Sequence, residues 1–290
     1  AETNVFQNKP PPEFGDMSEM ASRDFYNAVE QLRRNRLKVI LMPDRADHEA
    51  KTPDAIFPNN WFSIHTDLET DKRTLVLYPM FTENRRAEVR PQSLLAAIEQ
   101  AEVSVHRTVD LTEFVHQGLF LEGTGSMVLD RSNGIVYASL SQRTSSEMVD
   151  IFAQRLNYSS VVKFRSYDKN DALIYHTNVM MSVGTNFAVV ALDAVRDVVE
   201  RNALLRALKE SGKEIVPITL EQVERMCGNI LQVRDDAGKE RIIASTMAFT
   251  SFTLEQQCRL RAHGDWLVVD INTVEKVAGG GIRCMLAEVF

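Results

Sequence analysis

Apolar and polar residues alternate along the chain in an arrangement that recurs four times. Each copy predicts two short strands, an amphipathic helix and a third strand. The first copy has predicted strands at Trp61–Asp67, Thr74–Met80 and Val103–Val109, and a predicted helix at Pro91–Ala101 that its proline opens. The copies are about 50–60 residues apart, which indicates an internal ββαβ repeat.

Three further copies follow with the same order of elements. Their predicted strands are Gly125–Leu129, Ile135–Leu140 and Val161–Arg165, then His176–Val183, Phe187–Leu192 and Glu214–Ile218, and finally Asn229–Arg234, Arg241–Ala248 and Trp266–Ile271. Their predicted helices are Ser146–Leu156, Ala194–Ser211 and Thr253–His263. The last two helices are followed by Gly212 and Gly264, and glycine commonly ends a helix.

The segments that remain predict a fifth copy that lacks one strand. An N-terminal helix, Met17–Arg34, leads to a strand, Lys38–Met42, and a strand-like stretch, Ile282–Phe290, ends the chain. A ring closed by joining the two chain ends accounts for every element. We therefore predict one α/β domain over residues 1–290, a five-bladed propeller of ββαβ modules, with the missing strand upstream of Ala1. An ordinary mixed sheet with several hairpin-helix units is the alternative.

Unusual polar residues recur where the first strand of each module begins. They lie at positions 60, 122, 176, 228 and 284, which are 62, 54, 52 and 56 residues apart. The residues at or beside these positions are Asn60, Glu122, His176 with Asn178, Asn229 and Cys284. Equivalent positions in a ring converge on its axis, so a carboxylate, an imidazole, a thiol and several amides are expected to share one central pocket.

These side chains could together attack an electrophilic carbon. A cysteine nucleophile needs a thiolate, which an unperturbed thiol with a pKa near 8.5 supplies poorly at neutral pH. His176 could take the thiol proton or pair with the thiolate, and Glu122 could hold a substrate N–H or handle protons. Arg283 adds positive potential beside Cys284. Singly, each residue fits a structural role equally well, and only their common register favours a site.

The composition and charge of the chain argue against a nucleic-acid-binding protein and against a membrane protein. The 290 residues are 44% hydrophobic, and 33 Lys and Arg against 40 Asp and Glu give a net charge of −7. Without a long basic run, nucleic acid is not an expected partner. No apolar run approaches the roughly 18 residues of a membrane span and no signal peptide opens the chain, so we expect a cytoplasmic protein without a membrane partner. The sequence does not indicate an oligomeric state.

The cysteines and acidic residues do not form a metal-binding pattern. The three cysteines, Cys227, Cys258 and Cys284, lack the short paired spacings of zinc sites and redox motifs. The acids and the histidine assigned to the pocket lack ligand spacing as well. We expect neither a metal nor another cofactor, and no disulfide framework, while one reactive thiol is compatible with the pattern.

Six short motifs carry a resemblance to a known superfamily. They read "FPNNW", "FLEGTGSM", "SQRTS", "YHTNVMM", "CGNIL" and "GGGIRCMLAE", and they extend from about Asp54 to the C-terminus. The chain resembles the pentein, or guanidine-modifying, superfamily of arginine deiminases, dimethylarginine dimethylaminohydrolases, succinylarginine dihydrolases and amidinotransferases. The resemblance implies a five-bladed fold and a Cys–His–Glu centre at Cys284, His176 and Glu122. The thiolate attacks a guanidino-type carbon, an amine leaves, and water or another amine resolves the covalent intermediate.

The resemblance also implies substrate-binding residues. Asp54 in "PDAIF" and Arg85 in "RRAE" resemble substrate-pocket positions, although Arg85 also fits a solvated position in a charged loop. Arg143 in "SQRTS" matches an arginine that binds the amino-acid carboxylate, a natural partner for a guanidinium.

Two amides depart from the arginine-directed pattern. Asn60 and Asn178 stand where such relatives place carboxylates, and a buried guanidinium without carboxylates is an uncompensated charge. A neutral ureido group offers N–H donors and an acceptor oxygen, and asparagine matches both. Asn59 is a weaker candidate, because alternation points it away from Asn60.

The departure favours citrulline, as in the citrulline-utilising hydrolases that this pattern resembles. The implied reaction converts citrulline and water to ornithine, ammonia and carbon dioxide through a carbamoyl thioester on Cys284. The alternatives are a dihydrolase or deiminase of arginine or a modified arginine, an amidinotransferase, and a binding protein without activity.

Overall fold

Four three-stranded sheets follow one another in the computed structural model, which describes residues 17–42, 52–67 and 70–289. In each sheet the first strand pairs antiparallel with the second, and the second pairs parallel with the third. A parallel pair needs a crossover connection, which helices between the second and third strands provide. The predicted ββαβ repeat is confirmed for these four modules.

The element bounds are close to the predicted ones. The first two modules contain β1 Phe62–Thr66, β2 Arg73–Leu77, α2 Glu83–Arg86, α3 Pro91–Gln100 and β3 Arg107–Asp110, then α4 Gly123–Ser126, β4 Met127–Asp130, β5 Ile135–Ser139, α5 Ser146–Arg155 and β6 Ser160–Phe164. The next two contain α6 Thr177–Met180, β7 Met181–Val183, β8 Phe187–Val190, α7 Val198–Glu210, β9 Glu214–Pro217 and α8 Leu220–Glu224, then β10 Leu231–Arg234, β11 Glu240–Ser245, α9 Thr246–Ser251, α10 Leu254–Arg261 and β12 Asp265–Val269. Helix α1, Met17–Arg34, precedes these modules, and α11, Asn272–Ala278, follows them.

The first strands begin later than predicted. The strand predicted at His176–Val183 starts with the helical turn α6, and the one predicted at Gly125–Leu129 starts within α4. A tight turn is required at Gly123, whose φ is +46° and where a Cβ would lie 2.3 Å from the Asn59 carbonyl oxygen. Of the polar residues predicted at the starts of strands, Asn60, Asn178 and Cys284 lie in helical turns, Glu122 and His176 immediately precede one, and Asn229 precedes β10 outside any helix.

Helix α7 also starts later than predicted, at Val198 rather than Ala194. Residues Leu192–Ala194 form a 3-10 turn instead, and the Asp197 carboxylate then caps the helix by accepting from the backbone N–H groups of Val199 and Glu200. Such a cap satisfies donors that the first helical turn leaves unpaired, and it fixes where the helix begins.

The fifth copy is only partly as predicted. Helix α1 has the predicted bounds, but neither Lys38–Met42 nor the described part of Ile282–Phe290 forms a strand; Ile282–Met285 is a 3-10 turn, and Phe290 lies outside the described residues. A strand requires a hydrogen-bonded neighbour. Ile40, Met42, Ala287 and Val289 instead pack as extended chain against the core of the first module.

The modules contact one another in order and bring the chain ends together. Helix α4 contacts the 3-10 turn Pro58–Asn60 and α6, β7 contacts both β4 and β10, and the Ile282–Met285 turn contacts β11 and the Pro58–Asn60 turn. At the periphery, α1 packs on α11, where Asp24 accepts a 2.7 Å hydrogen bond from the Thr273 backbone N–H. This closed succession of contacts places the turns that head the modules at the centre. Within the described ranges, no helix is long and apolar enough to cross a membrane.

Candidate active site

Helical turns at the centre hold the side chains that the repeat register brings together. Asn60 ends the Pro58–Asn60 turn, His176 immediately precedes α6, and Cys284 lies in the Ile282–Met285 turn. All three are buried and line one cavity, whose other lining residues are Asp54, Phe57, Arg85, Arg143, Tyr175, Val179, Gly279 and Gly280. The convergence expected from the spacing is therefore present for these residues.

Glu122 lies behind His176 and is fully buried. Its Oε2 accepts hydrogen bonds from His176 Nε2 at 2.7 Å and from Arg143 Nη1 at 3.1 Å, and Arg85 Nη1 is 3.8 Å away. Its Oε1 accepts from the Phe81 backbone N–H. Burial alone would raise the pKa of Glu122, but the hydrogen bond from His176 and the charges of His176, Arg143 and Arg85 lower it well below its usual range. Glu122 is thus an ionised carboxylate that orients the imidazole.

The resting imidazole and thiol are both neutral. Burial lowers the pKa of His176, an effect that Glu122 opposes and the two arginines reinforce. Burial also raises the pKa of the Cys284 thiol, and contacts with Asn229, Asn178 and Arg283 counter this only in part. Because Nε2 of His176 donates to Glu122, Nδ1 is the ring nitrogen left to accept a proton.

Two amides contact the sulfur. Asn229 Nδ2 is 3.3 Å and Asn178 Nδ2 is 3.5 Å from Cys284 Sγ. Asn229 heads the fourth module, and the register had placed it among the amides expected in the central pocket without assigning it a substrate-binding role. Its contact with the sulfur agrees with that register.

Asn178 contacts the sulfur but lines a different cavity from Asn60. It is buried, and it is not part of the wall that Asn60, His176 and Cys284 share. It lines a second cavity, the axial cavity, between β4, β7 and β10. The pairing of Asn60 with Asn178 around one substrate stays a prediction.

Asn60 presents an amide to the cavity. Asn60 Oδ1 is buried and accepts no hydrogen bond from the residues that the structure describes. Gly125 gives this side chain room, because a Cβ there would lie 2.3 Å from Asn60 Oδ1 and 3.1 Å from the His176 ring. An acceptor oxygen next to the thiol and imidazole suits a ligand with N–H donors.

Arg85 is buried rather than solvated, which corrects the surface-loop alternative. Arg85 Nη2 is 2.9 Å and its Nε 3.1 Å from Glu88 Oε2, and the guanidinium also contacts the carbonyl oxygens of Asp54 and Phe57. Burial, with smaller contributions from Asp54 and Glu122, raises the pKa of Glu88 to about 7, although Arg85 opposes the shift. Sequence reasoning missed Glu88, since an Arg and a Glu three residues apart are ordinary on a helix surface.

Arg143 is held between an acid and an aromatic ring. Besides its hydrogen bond to Glu122, its guanidinium lies over the Tyr175 ring, 4.5 Å from the centroid. Arg143 lines the cavity while it is paired with Glu122. A substrate carboxylate that binds Arg143 would therefore share its guanidinium with Glu122.

Like Glu122 and Asn178, two further predicted site residues, Asn59 and Arg283, are absent from the wall around Cys284. Asn59 is buried, and its Nδ2 donates to Thr124 Oγ1 at 3.2 Å, as the alternation argument indicated. Arg283 turns away from the thiol, donates to Leu286 O at 2.7 Å and to Glu288 at 2.9 Å, and lines the axial cavity.

The cavity beside Cys284 is narrow. It measures about 20 Å³, which is enough for one water-sized group. In this conformation the cavity has no room for a whole amino acid. No group of three or more His, Cys, Asp or Glu side chains able to hold a metal occurs in residues 17–42, 52–67 and 70–289.

Comparison with known proteins supports the fold. The family model described as N,N dimethylarginine dimethylhydrolase, eukaryotic, matches residues 1–290. The N-terminal domain of ArgZ, an arginine dihydrolase from the ornithine-ammonia cycle in cyanobacteria, is 17% identical with a TM-score of 0.69, over 97% of this chain and 90% of that domain. This chain spans 38% of full-length ArgZ. None of the curated proteins matches the sequence significantly.

Two other solved structures are similar. The dimethylarginine hydrolase DDAH from Pseudomonas aeruginosa is 15% identical with a TM-score of 0.62, over 98% of this chain and 94% of that one. SxtG, an amidinotransferase from Microseira wollei in the saxitoxin biosynthetic pathway, is 16% identical with a TM-score of 0.64, over 95% and 81% of the chains. The predicted pentein fold class and the superfamily resemblance are confirmed.

The raised pKa of the Cys284 thiol predicts slow alkylation at neutral pH. We expect the rate of modification by iodoacetamide, followed by peptide mass spectrometry, to keep rising above pH 8.5, because the nucleophile is the thiolate. The exposed Cys258 in the same sample is the reference. A Cys284 rate that levels off at a lower pH than the Cys258 rate would contradict the assignment of a neutral resting thiol.

Proposed function

Because the chain belongs to the eukaryotic N,N dimethylarginine dimethylhydrolase family of enzymes that act on C–N bonds, we propose that it is a cysteine-dependent hydrolase whose substrate is citrulline. The observation that carries the choice of substrate is the Asn60 amide. It is a neutral group on the cavity wall that Cys284 and His176 share, and it can accept from a ureido N–H and also donate to a ureido oxygen, which a guanidinium lacks.

The charges around the cavity support a neutral reacting group. Of the described lining residues, Arg85 and Arg143 are cationic and Asp54 alone is acidic. The two carboxylates behind the wall are already engaged, Glu88 with Arg85 and Glu122 with Arg143 and His176. An incoming guanidinium would be a third cation with Asp54 as its one carboxylate on the wall, whereas a ureido group brings no charge to desolvate.

A general-base mechanism is compatible with the site, because His176 and Cys284 line the same cavity. His176 Nδ1 takes the proton of the Cys284 thiol as the sulfur attacks the ureido carbon, and the ionised Glu122 stabilises the imidazolium that forms. The imidazolium then protonates the departing ornithine nitrogen as the C–N bond breaks. A carbamoyl group remains on the sulfur.

The same residues support the second half of the reaction. Water gives a proton to His176 and adds to the carbamoyl carbon, the C–S bond breaks, and the thiol regains its proton. The carbamate that leaves decomposes to ammonia and carbon dioxide. The net reaction is citrulline plus water to ornithine, ammonia and carbon dioxide, and no oxidant, reductant or metal takes part.

The second candidate is a dihydrolase that acts on arginine and then on the resulting ureido group. The observation that favours it is Asp54 on the cavity wall, since a carboxylate can pair with a guanidinium. ArgZ, whose structure is similar, is an arginine dihydrolase. The two candidates differ in whether arginine is consumed.

Product analysis tests the proposed substrate. Purified enzyme is offered citrulline, arginine, dimethylarginine and N-succinylarginine in parallel, and products are identified by mass spectrometry. We expect ornithine from citrulline, none from Cys284→Ser, and unchanged turnover by Cys258→Ser, because Cys258 is exposed. Consumption of arginine with citrulline untouched would refute the citrulline assignment.

An Asn60→Asp change tests the role of the amide. The carboxylate keeps an acceptor oxygen but lacks the Nδ2–H donor, so the buried ureido oxygen loses one hydrogen bond. This loss costs about 1–3 kcal/mol and should lower kcat/KM for citrulline about 5- to 150-fold, while the new carboxylate should allow arginine to be attacked. The matched control is Asn59→Asp, since Asn59 bonds Thr124 and is not on the cavity wall. Equal effects of the two changes on substrate preference would argue against the Asn60 contact.

A further inference from the structure

A second cavity lies on the axis, on the other side of Cys284 from the substrate cavity. It measures about 160 Å³, enough for several waters, and opens between strands β4, β7 and β10. Asn178 is the residue that connects it with the reaction centre, because it lines this cavity and its Nδ2 is 3.5 Å from Cys284 Sγ. One amide thus separates the sulfur from a polar cavity that the substrate does not occupy.

Two buried polar groups mark the interior of this axial cavity. Asn178 Oδ1 and Ser182 Oγ are both buried, and neither has a hydrogen-bond partner among the residues described. Leaving such groups unpaired costs about 1–3 kcal/mol each, a cost that a water molecule would remove if a small side-chain movement brought it into contact with either atom.

The charged groups at the axial cavity are two carboxylates and three cations. Asp130 is 3.0 Å from the buried Lys213 ammonium, and Glu288 is 2.9 Å from Arg283 and 3.9 Å from Arg131. One positive charge is therefore in surplus, which disfavours ammonium. Such a cavity suits water and neutral ammonia.

While the carbamoyl group is attached to Cys284, a water molecule must still reach it. The substrate cavity measures about 20 Å³ when closed, and an ornithine-sized group would fill its opened mouth. Resting on the proposed function, we propose that hydrolytic water reaches the Cys284 carbamoyl group, and neutral ammonia departs, through the axial cavity past Asn178. In this step water adds its oxygen to the carbamoyl carbon, the C–S bond breaks, and the carbamic acid formed divides into ammonia and carbon dioxide.

Filling the axial cavity tests the path. Ser182→Leu places bulk inside it without touching Asn60, His176, Glu122 or Cys284, and Ser160→Leu, at an exposed position on β6, is the matched control. We expect Ser182→Leu to lower kcat for citrulline about 10-fold and to accumulate carbamoyl-Cys284 in quenched-flow mass spectrometry, while adduct formation stays within about two-fold of the wild-type rate. The control should match the wild type.

A second variant covers the case in which Ser182→Leu does not fold, which thermal melting would reveal. Thr185→Trp places bulk at the exposed rim of the same cavity and should also accumulate the adduct. A folded variant with unchanged kcat and no adduct, or with a lower kcat and no adduct, would overturn the axial path. Wild-type enzyme that does not turn over citrulline would instead refute the proposed function, so the two failures are distinguishable.

Discussion

The hydrogen bond between the Glu122 carboxylate and the His176 ring fixes the arrangement of the site. This bond joins Glu122, at the head of the second module, to His176, at the head of the third. The guanidinium of Arg85, from the first module, is 3.8 Å from the same carboxylate. Burying a carboxylate is costly unless charged partners compensate it, and here an imidazole, Arg143 and a backbone N–H do so at 2.7–3.2 Å. The ring of modules is thus held at its centre by a polar cluster that only the complete fold can assemble.

That cluster also constrains the chemistry. Glu122 is hydrogen-bonded to His176 and Arg143, so in the proposed mechanism it orients the base, while the proton handling and substrate contact considered from sequence stay predictions. The amides of Asn60, Asn178 and Asn229 then form the immediate polar surroundings of the reacting atoms. Amides stabilise a neutral group through hydrogen bonds and give little compensation to a buried cation. The preference for a ureido or a guanidino substrate therefore depends on how well the groups around the sulfur compensate a buried positive charge.

Much of this architecture could be predicted from the sequence, because the repeat shows which residues occupy equivalent positions in successive modules. Equivalent positions in successive modules brought Asn60, His176 and Cys284 to one cavity. Asn178 and His176 line different cavities for a physical reason: alternation on a strand puts positions 176 and 178 on one face, but the α6 turn rotates successive side chains by about 100°. Asn178 therefore lines the axial cavity while His176 lines the substrate cavity.

Other features depended on contacts that no local pattern encodes. The burial of Arg85 with Glu88 arises from packing against the segment that contains Asp54 and Phe57, which is distant in sequence. The extended segments near the chain ends are not strands, because strand formation depends on a paired neighbour and not on apolar content alone. Asn229 had the correct register, but its contact with the sulfur follows from the Ile282–Met285 turn, which was expected to be a strand.

The central claim is that an amide-lined, charge-compensated cavity selects a neutral ureido group. Calorimetric titration of Cys284→Ser with citrulline and with arginine at neutral pH tests it most directly, because binding is measured without turnover. The account predicts that citrulline binds at least about 10-fold more tightly than arginine, a difference of roughly 1.4 kcal/mol or more. Tighter binding of arginine would contradict it.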